Sequence, residues 1–477
     1  MNARSLSPRL SERYRRWRGK STYKDYAHRY CIQLALAVWL ILAAAVAVRT
    51  FARPISHTVF PIFATSASHW WSDLSLYELY PGLDRFRYPP IFALFVTPFG
   101  SLGFTMGGML WSWLSMGVFV AGLWRYAHDV IPSSWTRGRL ALFLTLGAAG
   151  ALRGLWNAQS NALMVGFLLL GASALARAVS RRIAPSRDWW WAAFLLAVPV
   201  CLKFTPLAPV LLLVALWPRQ LAGRMLVVAA GLVLLPFLTR PPHVVLFQYR
   251  EWIDNLIASG SVRWTGFRDG WTIWVVLRSQ LGLAPKQIDL GEPLHSSVYR
   301  AIQLGTAVGV LVWCVWQKSR ARQFQWGSRW ALHVTLSMGL TWLMLFGPAI
   351  EHATYVFLAP PLIWALLEPD VWPRGRRLVW LAFALVMVLG WGAIARSVTP
   401  LSPLILTALP VGSAVFALWL IGYAANRPST RGASIPAREV VERSQAQWVN
   451  REVLLRSAPV APVVAAERRS REFNSLP

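Results

Sequence analysis

Long apolar runs, each closed by a cluster of Arg, Pro or Gly, recur along the whole chain and constrain its fold more than any other feature. The first, Cys31 to Phe51, carries one charged residue, Arg49. A helix needs about 20 apolar residues to cross a hydrocarbon layer about 30 Å thick. Twelve runs read as crossings: 31–51, 104–124, 139–152, 161–177, 189–202, 204–217, 223–239, 298–317, 330–347, 353–367, 378–396 and 402–424. Twelve crossings need roughly 240 residues, which a chain of 477 holds easily. Composition agrees, with 56% hydrophobic and 14% charged residues against the quarter charged that is usual in soluble domains. The expected fold is all-α, a polytopic integral membrane protein of about 12 transmembrane helices.

The net charge of +28, from 48 Lys and Arg against 20 Asp and Glu, would fit nucleic acid binding in a hydrophilic chain. Here hydropathy argues against that partner, and the basic residues order themselves along the runs instead. With the N-terminus in the cytoplasm, most Lys and Arg fall on the inner side, in short loops and at both ends. The organisation expected is a basic cytoplasmic segment 1–30, a transmembrane domain 31–424 and a cytoplasmic, disordered tail 425–477, in a multi-pass protein of the inner cell membrane. The first run is longer than a signal-peptide core and reads as a retained helix. The outer side receives two loops of about fifty residues, 52–103 and 240–297. Crossings 139–152, 189–202 and 204–217 are short for a full bilayer, which leaves room for an outward-facing cavity at their outer ends. Cys31, Cys201 and Cys314 lie far apart inside apolar runs and offer neither a disulfide framework nor a zinc site.

Five polar islands interrupt the outer ends. The first loop carries Asp73 beside Trp70 and Trp71, then Tyr77, Glu78, Asp84 and Tyr88-Pro89-Pro90. A carboxylate facing a partly desolvated cavity is a candidate general base, because burial raises its pKa toward the working pH. Asp73 leads, Glu78 and Asp84 are rivals, and a solvated loop acid beside an aromatic belt is the plain alternative. Pro89 and Pro90 stop any helix entering from the loop and make 91–101 a re-entrant or interfacial segment.

Arg153, Asn157, Gln159 and Asn161 crowd the turn between the third and fourth runs, where amides either bind sugar hydroxyls or cap helix ends. Lys203 lies between two apolar runs and calls for a phosphate partner, unless it snorkels to the headgroups. The second loop mixes Arg250, Trp252, Asp254, Asn255, Arg263, Trp264, Arg268, Asp269, Trp271 and Trp274, a blend suited to sugars and phosphates or to the interfacial belt. The turn from Gly347 to His352 sets Glu351 and His352 at the depth of Lys203, as site residues or as a structural hydrogen-bonded pair. Gly19-Lys20-Ser21 lacks the first glycine of a phosphate loop, and no Asp-x-Asp pair occurs, so neither a nucleotide loop nor that form of metal-bound nucleotide site is expected.

Taken in order, Asp73-Leu74-x-x-Tyr77, Tyr88-Pro89-Pro90, Gln159 with Asn161, Lys203-x-Thr205-Pro206 and the Pro348–His352 turn resemble glycosyltransferase family 87, polyprenol-phosphate-mannose-dependent mannosyltransferases of GT-C fold. The resemblance covers most of 31–424. It implies a polyprenyl phosphate sugar donor, a lipid or glycan acceptor and membrane lipids as partners, with no cofactor or metal and no nucleic acid. It also implies Asp73 as the base, with Tyr77, Tyr88, Arg153, Gln159, Asn161, Lys203 and His352 binding substrate. Two positions depart from the family pattern: Ala158 stands where Gly is usual before the Gln, and Glu351 where an aromatic is common before the His. A transporter or flippase of lipid-linked sugars would use the same cavity without a base and is the alternative function.

Overall fold

A backbone in hydrocarbon must satisfy its own N–H and C=O groups, and this chain does so with helices, with no strand among the described residues. The computed structural model describes residues 8–56, 58–133, 135–181, 185–261, 272–273, 297–347, 350–368, 373–389 and 402–427. The helices are α1 Pro8–Ala52, α2 Phe60–Trp71, α3 Pro90–Gly100, α4 Gly103–Asp129, α5 Arg137–Trp156, α6 Asn161–Ser180, α7 Ser186–Leu202, α8 Leu207–Leu216 and α9 Pro218–Leu234. They continue as α10 Pro242–Ser261, α11 Ser297–Gln323, α12 Ser328–Phe346, α13 Ala359–Leu367, α14 Pro373–Phe383 and α15 Ser402–Ala425. Single-turn elements add 3-10 helices at Leu235–Leu238 and His352–Phe357 and a π segment at Ala384–Leu389.

Among the described residues, five helices are long and apolar enough to cross a membrane: Tyr30–Ala52, Gly103–Asp129, Asn161–Ser180, Pro218–Leu238 and Thr407–Ala425. This is a membrane protein by that measure. The other apolar runs form helices that fall short in length or apolarity.

At the centre stands α6, apolar on every side and buried along nearly all its length against α4 and α7. The α4–α6 crossing is set by glycine. A Cβ on Gly122 would come within 2.7 Å of the Gly166 carbonyl, and one on Gly166 within 2.6 Å of the Val118 carbonyl, so only a missing side chain lets the backbones approach.

The polar contacts divide between two ends of the bundle. At one, Asp129 pairs with Arg125 at 2.9 Å and Arg177 at 2.6 Å, and Ser133 donates to Glu368. There Ser328 donates to the Val179 carbonyl, and Arg320 caps the last helix at the Ala424 carbonyl while lying over Trp326. The other end gathers the α5–α6 turn, the α7–α8 break and the turn before His352.

Several expected boundaries move. The run read as 139–152 is a 20-residue helix, about 30 Å long, because Arg137, Arg139 and Arg153 lie inside it rather than beyond its ends. The segment 240–297 is not all loop: α10 occupies its first third, an amphipathic helix whose buried face carries Val245, Gln248 and Asn255 and so lacks an apolar signature. The run 353–367 divides into a 3-10 turn and α13, with Pro360 and Pro361 in the first turn of the second piece. The first loop holds two short helices, α2 and α3, and α3 matches the segment expected at 91–101 but is too short, at 11 residues, to span. Residues 390–396 of the run 378–396, the second loop beyond α10 except 272–273, and the tail 428–477 lie outside the described residues.

Candidate functional site

Two helix ends build the site, and both close in the same way. At the C-terminus of α2 the Leu74 N–H donates to the His69 carbonyl at 3.1 Å, a reversal that puts Asp73 at φ +56°. At the C-terminus of α5 Gln159 N–H donates to Gly154 at 2.8 Å and Ala158 N–H to Leu155 at 3.1 Å, with Ala158 at φ +53°. Glycine is the ordinary occupant of that left-handed position, and neither site has it. The substitution of Ala158 for the usual family glycine is thus a substitution at a strained residue.

Asp73 leaves the end of α2 with its side chain half exposed and 3.5 Å from Arg240 Nε, an ion-pair distance longer than a good hydrogen bond. Arg240 is itself fixed. Its Nε donates to the Trp70 carbonyl at 2.9 Å and its guanidinium lies 5.4 Å over the Trp71 ring, while the Trp70 indole donates to Thr239. From Asp73 the loop runs to Tyr77, whose buried phenol donates to the Tyr88 carbonyl at 2.8 Å. Burial pushes the Tyr77 phenol well above its usual pKa, so it stays a neutral donor. Tyr88 then stacks on Phe92 at 4.2 Å and accepts from Ser160 at 3.2 Å.

From the opposite side comes a continuous chain of hydrogen bonds. Lys203 lies in the extended break between α7 and α8, and its Nζ donates to Asn161 Oδ1 at 2.7 Å and sits 5.4 Å over the Tyr88 ring. Asn161 Nδ2 donates to Gln159 Oε1 at 3.0 Å, and Gln159 Nε2 donates to Glu351 Oε2 at 3.1 Å. The side chains of Gln159 and Asn161 bridge ionisable groups rather than capping helices, and Lys203 turns inward rather than snorkelling outward.

Arg153 and His352 line a separate small, half-open pocket with Gly150, Ala353, Tyr355 and Met387. One wall is the π segment, an element found disproportionately at functional sites. The rival acids Glu78 and Asp84 share a still smaller pocket with His69 and Tyr80. The structure therefore joins Tyr77, Tyr88, Gln159, Asn161 and Lys203 through direct contacts, places Arg153 with His352, and sets Asp73 against Arg240. Pro348 and Ala349 of the turn, and Arg263 to Trp271 of the second loop, lie outside the described residues. Among those described, no group of three or more His, Cys, Asp and Glu side chains could hold a metal ion.

Sequence reasoning missed the roles of Arg240, Gln248, Glu251 and Ser160. The nearest signal is Arg240-Pro241-Pro242, which repeats the X-Pro-Pro entry of Tyr88-Pro89-Pro90, but nothing local pairs it with a loop about 170 residues away.

Among solved structures the chain is similar to ArnT from Cupriavidus metallidurans, crystallised bound to undecaprenyl phosphate, at 15% identity and a TM-score of 0.38 over 81% of this chain and 77% of that one. No curated protein matches it. The sequence model of glycosyltransferase family 87 matches residues 86–348, more than half of the chain. That span includes Tyr88, Arg153, Gln159, Asn161 and Lys203 and excludes Asp73, Tyr77 and His352. On that match the chain belongs to glycosyltransferase family 87.

Proposed function

We propose that this membrane glycosyltransferase moves a hexosyl group, mannose on the family resemblance, from a polyprenyl phosphate sugar to a lipid or glycan acceptor. The reaction takes place at the outer face of the inner cell membrane, within a GT-C-like domain of about twelve crossings whose termini are cytoplasmic. The observation that carries the proposal is the relay Glu351–Gln159–Asn161–Lys203 beneath the Tyr88 ring. It holds one cation at a fixed point beside an aromatic face, which suits an anionic phosphate joined to a sugar. An outward-facing enzyme has no access to cytoplasmic nucleotide sugars, and a membrane-borne donor meets that need.

In this mechanism Asp73 takes the proton from an acceptor hydroxyl as that oxygen attacks the anomeric carbon. The carbon–phosphate oxygen bond breaks on the opposite side, so configuration inverts. The leaving phosphate gains charge as it departs. Lys203 is preorganised to meet that charge, since one of its three N–H donors goes to Asn161 and the others remain for phosphate oxygens. Arg153 and His352, which line the neighbouring pocket, serve a second substrate contact.

The test is transfer by the purified full chain in lipid, from radiolabelled polyprenyl phosphate mannose to a panel of lipid and glycan acceptors. Asp73→Asn is expected to bind donor and lose turnover by about 100-fold or more, the scale of general base catalysis. Lys203→Gln is expected to weaken donor binding by roughly 10-fold or more, the loss of a charge-assisted contact. Full turnover in Asp73→Asn would remove Asp73 as the base. Donor moved across the bilayer without any transfer in the wild type would return the transporter reading.

A further inference from the structure

The loop that carries Asp73 and Tyr77 is braced within itself by the Tyr77 and Tyr80 phenols, which donate to the Tyr88 and Ser75 carbonyls. Between Ser72 and Tyr88 its anchors from outside the loop come largely from α10, a helix that begins 170 residues later. Gln248, fully buried, uses both ends of its amide: Oε1 accepts from the Leu76 N–H at 3.1 Å and Nε2 donates to the Leu74 carbonyl at 3.0 Å. Three residues on, Glu251 accepts from the Ser75 hydroxyl at 2.7 Å. A turn beyond, Asn255 donates to the Phe86 carbonyl at 3.0 Å and accepts from Arg85 at 3.3 Å. Positions 248, 251 and 255 follow i, i+3 and i+7, so one face of one helix makes all of these contacts. Gln248 reads the loop backbone on both sides of Ser75, as a neighbouring strand would, and Leu74 is bonded directly to Asp73.

We infer that α10 is a clamp and that Gln248 is a positioning residue, setting the reach of Asp73 through the backbone of Leu74 and Leu76. The inference rests on the reading of Asp73 as the base. Three features separate this arrangement from general packing. The amide is satisfied at both ends by loop backbone alone, both contacts lie within three residues of Asp73, and Asp73 already occupies a left-handed conformation that needs outside support. A carboxylate displaced by about 1 Å loses on the order of 100-fold in rate, so a clamp of this kind acts on turnover rather than on donor affinity.

The test uses the full chain in lipid nanodiscs with polyprenyl phosphate mannose as probe, and Gln248→Met and Gln248→Glu beside Asp73→Asn. Gln248→Met keeps the volume and loses both hydrogen bonds, whereas Gln248→Glu keeps the acceptor for Leu76 and loses the donor to Leu74. The expected result is kcat lowered about 10-fold or more in Gln248→Met with KM for the donor within about twofold of wild type, and an intermediate kcat in Gln248→Glu. Unchanged kcat in Gln248→Met, or kcat and KM moving together with the melting temperature, would overturn the clamp. Loss in Gln248→Met with turnover intact in Asp73→Asn would leave the clamp and remove the base.

A second readout needs no turnover. Spin labels at Leu79→Cys and Asp254→Cys, with the three native cysteines replaced by alanine, report the loop-to-α10 distance. The clamp predicts a narrow distribution that broadens in Gln248→Met, and an unchanged distribution would sink it even if the wild type transfers no sugar from this donor.

Discussion

Asp73 and Ala158 share a backbone problem and solve it differently. A non-glycine residue in the left-handed region is disfavoured by about 1 kcal/mol. At Ala158 the methyl is buried, and burial of one carbon returns about 0.8 kcal/mol, so alanine is nearly as good as the family's glycine there. Ala158→Gly is accordingly expected to leave the melting temperature close to that of the wild type. At Asp73 the side chain is 55% exposed and buries little, so no packing compensates. Asp73→Gly is expected to raise stability by up to about 1 kcal/mol while abolishing transfer, measured by thermal melting and by the transfer assay on the same preparation. A lowered melting temperature would mean that the carboxylate is there to hold Arg240, not to take a proton.

Close approach and burial govern the helices in the same way that strain governs these two residues. At the α4–α6 crossing Gly166→Ala places a carbon against the Val118 backbone, and overpacking of that kind is expected to destabilise by about 1–3 kcal/mol, read as a lower melting temperature. Near the site, burial holds the His69 imidazole below its ordinary pKa, opposed by the Ser75 backbone and the Glu78 carboxylate. The folded state thus favours neutral His69. Stability from this group is complete above the unfolded value of about 6.5 and is lost as pH falls below it, and His69→Gln should flatten the melting temperature between about pH 7 and pH 5. How far such features could be read in advance follows from their periodicity. Helices α4, α6 and α15 announce themselves by apolar composition, and Tyr88, Gln159, Asn161 and Lys203 stand out as polar residues among apolar ones. Helix α10 does not, because beside Val245 its buried face carries Gln248 and Asn255, polar residues whose partners belong to a distant loop. Asp73 was legible as a type of residue, but its left-handed backbone was not, since no glycine marks that helix end, and its neighbour Arg240 was not, since that contact spans about 170 positions.

Across the whole molecule the two ends differ in chemistry. Arg125, Arg177, Arg320 and Arg427 mark one, and the Lys203 relay marks the other. If the basic end is cytoplasmic, a cysteine at Leu79 should react with an impermeant thiol reagent added outside intact cells, and one at Arg181 or Arg322 should not. The reverse pattern would place the relay on the wrong side for a polyprenyl phosphate donor. The central position of α6 also has a kinetic meaning. Asn161 begins the most deeply buried spanning helix, whereas Asp73 rides on a loop held by side chains of α10. Amide hydrogens of α6 should therefore exchange with deuterium only at the rate of global opening, and those of residues 74–88 by local excursions many times faster. The two parts of the candidate site would then keep different clocks, the Lys203 relay opening only with the whole fold and the Asp73 loop opening whenever its contacts with α10 part.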